Sequence, residues 1–358
     1  MSASVAPASA AFPGARAARR RRIAVVVAGV AIVGSSAVAA LLIGPVRLDT
    51  AGVLRELFGW VPFVGGSSLD EREATILWQL RAPRVALACV VGSCLAVSGA
   101  AYQGAFRNPL ADPYLLGAAA GAGLGATIAL VSGDGGTFGV GTPMLPVASF
   151  VGALGGVAVA YVLGGSMGGR TTTGLVLAGV AVASFLTAVQ TFVQQRNSDT
   201  LREVYTWILG RLTTAGWSDV VLVLPYAVVS IVVLLAHGRL LDVLSVGDDE
   251  AGSLGLRPTR VRLAVVVAAS LATAAAVAVA GLIGFVGIIV PHAVRMVVGS
   301  SNRWVVPLSA VCGAAFLVLA DLVARIVVAP GELPIGVVTA LIGAPFFAWL
   351  LRRSGRVT

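Results

Sequence analysis

Residues 261–283 read VRLAVVVAASLATAAAVAVAGLI, with one charge, Arg262, at the second position and none after it. A run of this length approaches the ~20 apolar residues that an α-helix needs to cross the hydrocarbon of a bilayer. It lacks the polar stripe that a helix lying on a soluble core would carry. The same pattern recurs at 23–43, 85–106, 114–131, 144–163, 174–195, 220–236, 286–298, 305–324 and 334–351. The expected fold class is therefore all-α, a polytopic membrane helix bundle of about ten transmembrane spans in the lipid bilayer. The run 286–298 is too short to cross alone, and Pro291 interrupts it, so its neighbours must satisfy the backbone groups it frees.

Composition agrees. Of 358 residues, 58% are hydrophobic and 11% charged, with mean hydropathy +0.95, more apolar than a soluble core of this length can use. Forty-four glycines beside 6% aromatics suit helices whose backbones approach closely, because lipid supplies no hydrophobic drive between them. The net charge of +9 does not indicate a nucleic-acid partner, since the arginines stand singly at the ends of apolar runs and form no basic face. Cys89, Cys94 and Cys312 fall inside apolar runs as small buried hydrophobes, and His237 and His292 are far apart, so no metal site and no cofactor is expected. His292, beside Pro291, reads as a hydrogen-bonded structural histidine.

Residues 1–22, rich in Ala, Ser, Pro and Arg, read as a disordered basic cytoplasmic tail, followed by a single membrane domain over 23–352. The run 23–43 is long enough to be a first span instead of a cleaved leader. With the N-terminus inside, sixteen arginines fall on the inner side and nine on the outer, and an even span count returns the C-terminus inside. On that orientation the segment Pro45 to Leu80 lies outside. The loop at about 239–260 lies inside and carries the acidic stretch Gly247-Asp248-Asp249-Glu250-Ala251. Asn197 to Trp217 reads as a short outer helix with Trp207 and Trp217 at interfacial depth.

No lysine occurs, so no phosphate-binding Gly-x-x-x-x-Gly-Lys loop is possible, and no nucleophile, base and orienting group cluster. The chain reads as no enzyme. Its distinctive strings lie elsewhere. Arg81-Ala82-Pro83-Arg84 opens the second span, and Tyr102-Gln103-Gly104 leads into Arg107-Asn108-Pro109-Leu110-Ala111-Asp112-Pro113-Tyr114-Leu115-Leu116-Gly117. Leu177-Ala178-Gly179-Val180, the acidic loop from Gly247 to Gly255 and Gly284-Phe285-Val286-Gly287-Ile288-Ile289-Val290-Pro291-His292 come next. Ala320-Asp321-Leu322-Val323-Ala324-Arg325 and Glu332-Leu333-Pro334-Ile335-Gly336-Val337-Val338-Thr339 follow, with Gly343-Ala344-Pro345-Phe346-Phe347 beyond.

In this order, over roughly residues 75 to 352, the strings resemble the FecCD-type permeases of ATP-binding-cassette importers, which handle ferric siderophores, haem and cobalamin. The resemblance implies a multi-pass protein of the cell inner membrane that pairs with a second copy of itself. It also implies a path at the dimer interface, two cytoplasmic ATP-binding subunits and an extracytoplasmic substrate-binding protein. Arg81, Arg84 and Arg325 match arginines that receive acidic residues of the binding protein. Asn108, Leu110, Thr172 and Thr173 match the inner narrowing of the path. Gly247, Asp248, Asp249, Glu250, Ala251, Leu254 and Gly255 match the loop that docks on the ATPase. Position independently favours a use for Arg81 and Arg84, since cations are disfavoured at a helix start, whereas Arg325 sits at a helix end, one turn from Asp321. A ferric siderophore is the expected cargo, with haem or cobalamin as alternatives. An ion-coupled secondary transporter is the reading from another class, but it would need ionisable groups deep in the membrane, and Asp321 is the one acid inside a candidate span.

Overall fold

The computed structural model of the protein describes residues 13–59, 69–132, 137–138, 142–166, 172–329 and 331–354. In chain order the helices are α1 (Pro13–Leu42), α2 (Thr50–Phe58), α3 (Glu71–Thr75), α4 (Ala82–Phe106), α5 (Ala118–Val131), α6 (Met144–Ser166), α7 (Thr172–Arg196) and α8 (Leu201–Ile208). After these come α9 (Trp217–Leu244), α10 (Asp248–Ser253), α11 (Pro258–Ala280), α12 (Val286–Val298), α13 (Asn302–Ile326) and α14 (Ile335–Ser354). A two-residue antiparallel bridge pairs Thr137–Phe138 with Thr142–Pro143 between α5 and α6. Among the described residues seven helical segments are long and apolar enough to span, and α5, α12 and α14 supply three shorter apolar helices, so each expected run contains a helix.

Several boundaries differ from the sequence reading. Helix α1 reaches back to Pro13, so the expected disordered tail is helical from there to Arg22, and residues 1–12 lie outside the described residues. The second span begins at Glu71, well before Val85. Asp70 accepts a bond from Glu73 N at 2.6 Å and Glu73 reaches back to Asp70 N, a capping box that starts the helix among polar residues. A π-turn over Ile76–Arg81 joins α3 to α4, and the Trp78 carbonyl within it accepts Trp217 Nε1 at 2.8 Å. Arg81 and Arg84 therefore lie inside a continuous helix, not at its start, and the unfavourable dipole inferred for them does not apply. Trp207 is buried at 2% exposure instead of sitting at interfacial depth, because α8 lays Val204 and Trp207 into the bundle; Trp217 is exposed.

Helix α4 is the axis of the bundle, packed by α13, α11, α9 and α12, and buried along most of its length. Gly92 meets Gly313 of α13 and Gly99 meets Gly287 of α12, each so close that a Cβ would collide with the facing carbonyl. These contacts use the small-residue approach that replaces hydrophobic drive in lipid. Helices α1, α6 and α9 leave much of their surface exposed and apolar, as lipid-facing helices do, and α7 exposes both apolar side chains and a row of polar ones.

Candidate functional site

Two non-helical stretches run through the bundle. The first is 107–117, which the sequence reading had partly assigned to a span starting at Tyr114. Ala111 and Leu116 are fully buried, and the Leu115 carbonyl lies against Gly179 within α7. The stretch meets its own hydrogen-bonding needs through backbone turns, such as Ala111 N to Asn108 O and Leu115 N to Asp112 O, and through two side chains: Asn108 Oδ1 accepts Leu110 N at 2.9 Å, and Asp112 Oδ1 accepts Tyr114 N at 2.8 Å. The second is 281–285, between α11 and α12. Tyr114 joins the two, its hydroxyl donating to Ile283 O at 3.1 Å and accepting from Ile283 N at 3.2 Å. Irregular backbone inside a membrane bundle persists only where protein groups or a water-filled path satisfy it.

Pro291 removes the N–H that would bond the Gly287 carbonyl one turn earlier. Gln103 of α4, 3% exposed, fills that vacancy: its Nε2 donates to Gly287 O at 3.0 Å, and its Oε1 accepts from Arg295. Gln103→Leu should lower stability by about 2–3 kcal/mol, since it orphans a buried carbonyl and leaves the Arg295 guanidinium only its bond to Asn302 Oδ1 at 3.5 Å. Pro291→Ala in the same chain restores the N–H and should recover part of the loss in detergent unfolding; no recovery would show that the carbonyl is not what Gln103 serves. His292 in the next position meets Phe346 edge-on at 5.9 Å, and no hydrogen bond to its ring is found among the described residues, so the bond expected for it is replaced by ring packing.

At the inner end, α10 carries the acidic stretch. Gly247 and Ala251 are buried and anchor it, Asp249 and Glu250 are exposed, and Leu254 is 72% exposed, followed by an exposed Gly255 with φ 83°. Asp248, with 42% of its side chain exposed, instead reaches back to the buried Arg262 at 2.9 Å and to Arg107 at 3.4 Å. Leu110 is exposed in the turn after α4. Thr172 and Thr173 begin α7, with Thr173 exposed. Helix alternation puts these turns at the same end of the bundle. Also at that end, Asp242 of α9 accepts Ser301 Oγ at 2.7 Å and Asn302 N at 2.5 Å, capping α13.

At the outer end, Arg84 donates to both oxygens of Asp321, with Nη2 to Oδ1 at 2.8 Å, and to Glu332 at 2.9 and 3.0 Å. Asp321 also pairs with Arg325 at 3.1 Å. Arg325 donates to Ala40 O at 3.1 Å, and Arg81 donates to the carbonyls of Leu41, Leu42 and Val46. Two arginines thus satisfy the carbonyls that α1 leaves open at its C-terminus. Arg81, Arg84 and Arg325 are 5%, 9% and 2% exposed. The structure brings all three together and gives each a partner within the chain.

A bundle of apolar helices, many long enough to span, with irregular segments crossing its interior is the architecture of a multi-pass membrane protein. The chain belongs to the FecCD transport family, whose sequence model matches residues 22–353. It is 38% identical over 341 residues to the uncharacterized ABC transporter permease protein YvrB of Bacillus subtilis (strain 168), covering 94% of this chain and 96% of that one. It is 44% identical over 284 residues to the cobalamin import system permease protein BtuC of Halobacterium salinarum, covering 79% and 75%. The iron(3+)-hydroxamate import system permease protein FhuB of Bacillus subtilis is 37% identical over 337 residues, covering 93% and 84%. A solved structure, described as an inward-facing conformation of a metal-chelate type ABC transporter, superposes with TM-score 0.79 at 28% identity over 94% of this chain and 99% of that one.

Proposed function

We propose that this chain is the permease of an ATP-driven importer for a metal chelate, with a ferric siderophore as cargo. The observation that carries the reading is α10: an acidic helix with Val246 and Leu254 exposed beside it, on the arginine-rich side of a chain that has no lysine and hence no phosphate-binding loop of its own. Energy from ATP must enter through a partner, and α10 is the surface built to meet one. Haem or cobalamin is the second reading, favoured by the 44% identity to the cobalamin permease. Reconstitution with the neighbouring ATPase and binding protein tests this directly. ATP-dependent uptake of a ferric hydroxamate, haemin or cyanocobalamin into proteoliposomes names the cargo, and either uptake that proceeds equally without ATP or no uptake of any of the three overturns the reading.

The ion-coupled alternative loses its support, because the one acid inside a span, Asp321, is engaged by Arg84 and Arg325 within the chain and does not stand in an open ion path. Pairing with a second copy through α7 is supported by the exposed face of that helix, where Ser184, Thr187, Thr191 and Gln195 align at helical spacing. A polar stripe suits a shared aqueous path better than lipid. Asn108, Leu110, Thr172 and Thr173 are assigned to the inner gate on the same reading. Docking of an acidic partner at the Arg81, Arg84 and Arg325 cluster would proceed by exchange with Glu332, its most exposed acid at 23% of side-chain surface.

Orientation has its own check. In a chain without native cysteines, Asp70→Cys should react with an impermeant maleimide from outside and Asp249→Cys should not, both positions being exposed. Outside labelling at 249 would invert the topology and remove α10 from the ATPase side.

A further inference from the structure

The acids of α10 divide by direction. Asp249 and Glu250 face outward, while Asp248 takes both bonds from Arg262 Nη2, at 2.9 and 3.1 Å, with Arg107 Nη2 at 3.4 Å. Arg262 is 5% exposed, and its Nε donates to Ala105 O at 3.2 Å, within the last turn of α4. Arg107 ends α4 in the left-handed region, at φ 51°, and from it the chain enters the turn of Asn108 and Leu110. One carboxylate therefore ties the start of α10 to the end of α4 and to the first residue of the turn. An ordinary first-turn acid would serve α10 alone through the helix dipole. The oxygens of Asp248 go to two arginines of other elements, and a charge-assisted pair with one partner out of water is a stiff link.

We propose that Asp248 is a positioning residue that makes α10 and the Arg107–Asp112 turn move as one body, carrying displacement of the ATPase-facing helix to the inner gate. This rests on the reading of α10 as the ATPase contact, and gives Asp248 a duty opposite to that of Asp249 and Glu250: it holds the gate, not the partner. A coupling of this kind requires a continuous element whose position both ends bias, and the ionic tie supplies one.

The test uses the full chain with its ATPase subunit in proteoliposomes, native cysteines replaced, and Leu110→Cys as reporter for an impermeant maleimide. In this parent, a non-hydrolysable ATP analogue should change the labelling rate at position 110 by about threefold or more. Asp248→Asn, nearly isosteric, should abolish that change while recovery of the ATPase subunit stays within about twofold, and Asp248→Glu should restore it. A normal nucleotide response in Asp248→Asn overturns the proposal, as does loss of the ATPase subunit from that variant, which would make Asp248 a partner contact. If Asp249→Asn with Glu250→Gln binds the ATPase as the parent does, the reading of α10 as the contact is what falls.

Discussion

Arg84→Ala is expected to destabilise the protein by about 3–5 kcal/mol, because it strips a buried carboxylate of its main counter-charge. Asp321 is 1% exposed and would keep only Arg325, at 3.1 Å, while Glu332 loses two bonds but can turn to water. The size of the loss measures an orphaned charge more than the worth of the pair. Arg84→Met with Asp321→Leu, which removes both charges and fills the space, should therefore lose much less than Arg84→Ala, since buried pairs often break even against apolar replacements. Thermal unfolding in detergent compares the two variants. A single variant that melts with the parent would show the cluster to be hydrated and loosely held, and would return these arginines to a role at the surface.

The helices were legible because lipid demands them: a run such as 261–283 has few other uses, and every such run contains a helix. The errors fall where polar residues continue a helix or apolar residues leave one. Trp78, Gln79 and Arg81 look like a loop but lie on a continuous helix, because the capping box at Asp70 sits upstream of them. Tyr114, Leu115 and Leu116 look like a span but form irregular chain, partly buried at the first two and fully at the third, and hydropathy cannot see that Tyr114 is spent on Ile283.

Partnerships across the chain were hidden for a different reason. Arg84, Asp321 and Glu332 were each marked by the strings that contain them, yet only the packing of α4 on α13 brings them together. Likewise Pro291 announced a freed carbonyl at Gly287 without naming Gln103 as its donor. The acidic loop was read as one surface. Its division into an Asp248 that reaches back to Arg262 and an outward Asp249 and Glu250 follows from the turn at Gly247, with φ 134°, which sets the phase of α10.

Asp249→Asn with Glu250→Gln is expected to reduce recovery of the ATPase subunit on the permease by about tenfold at low salt, with the deficit narrowing as salt rises. Both side chains are exposed, and neither oxygen set is engaged by an arginine among the described residues, so the amides remove charge with little change in shape or fold. Such charges steer encounter and are screened over about 8 Å at physiological ionic strength, so their contribution must fade with salt. Leu254, 72% exposed at the end of the same helix, supplies contact that does not fade. Leu254→Ala should weaken assembly at every salt concentration, as truncation of an apolar anchor does. If the double amide variant and Leu254→Ala both assemble as the parent does at every salt concentration, α10 is a solvated loop and the ATPase engages the inner face elsewhere.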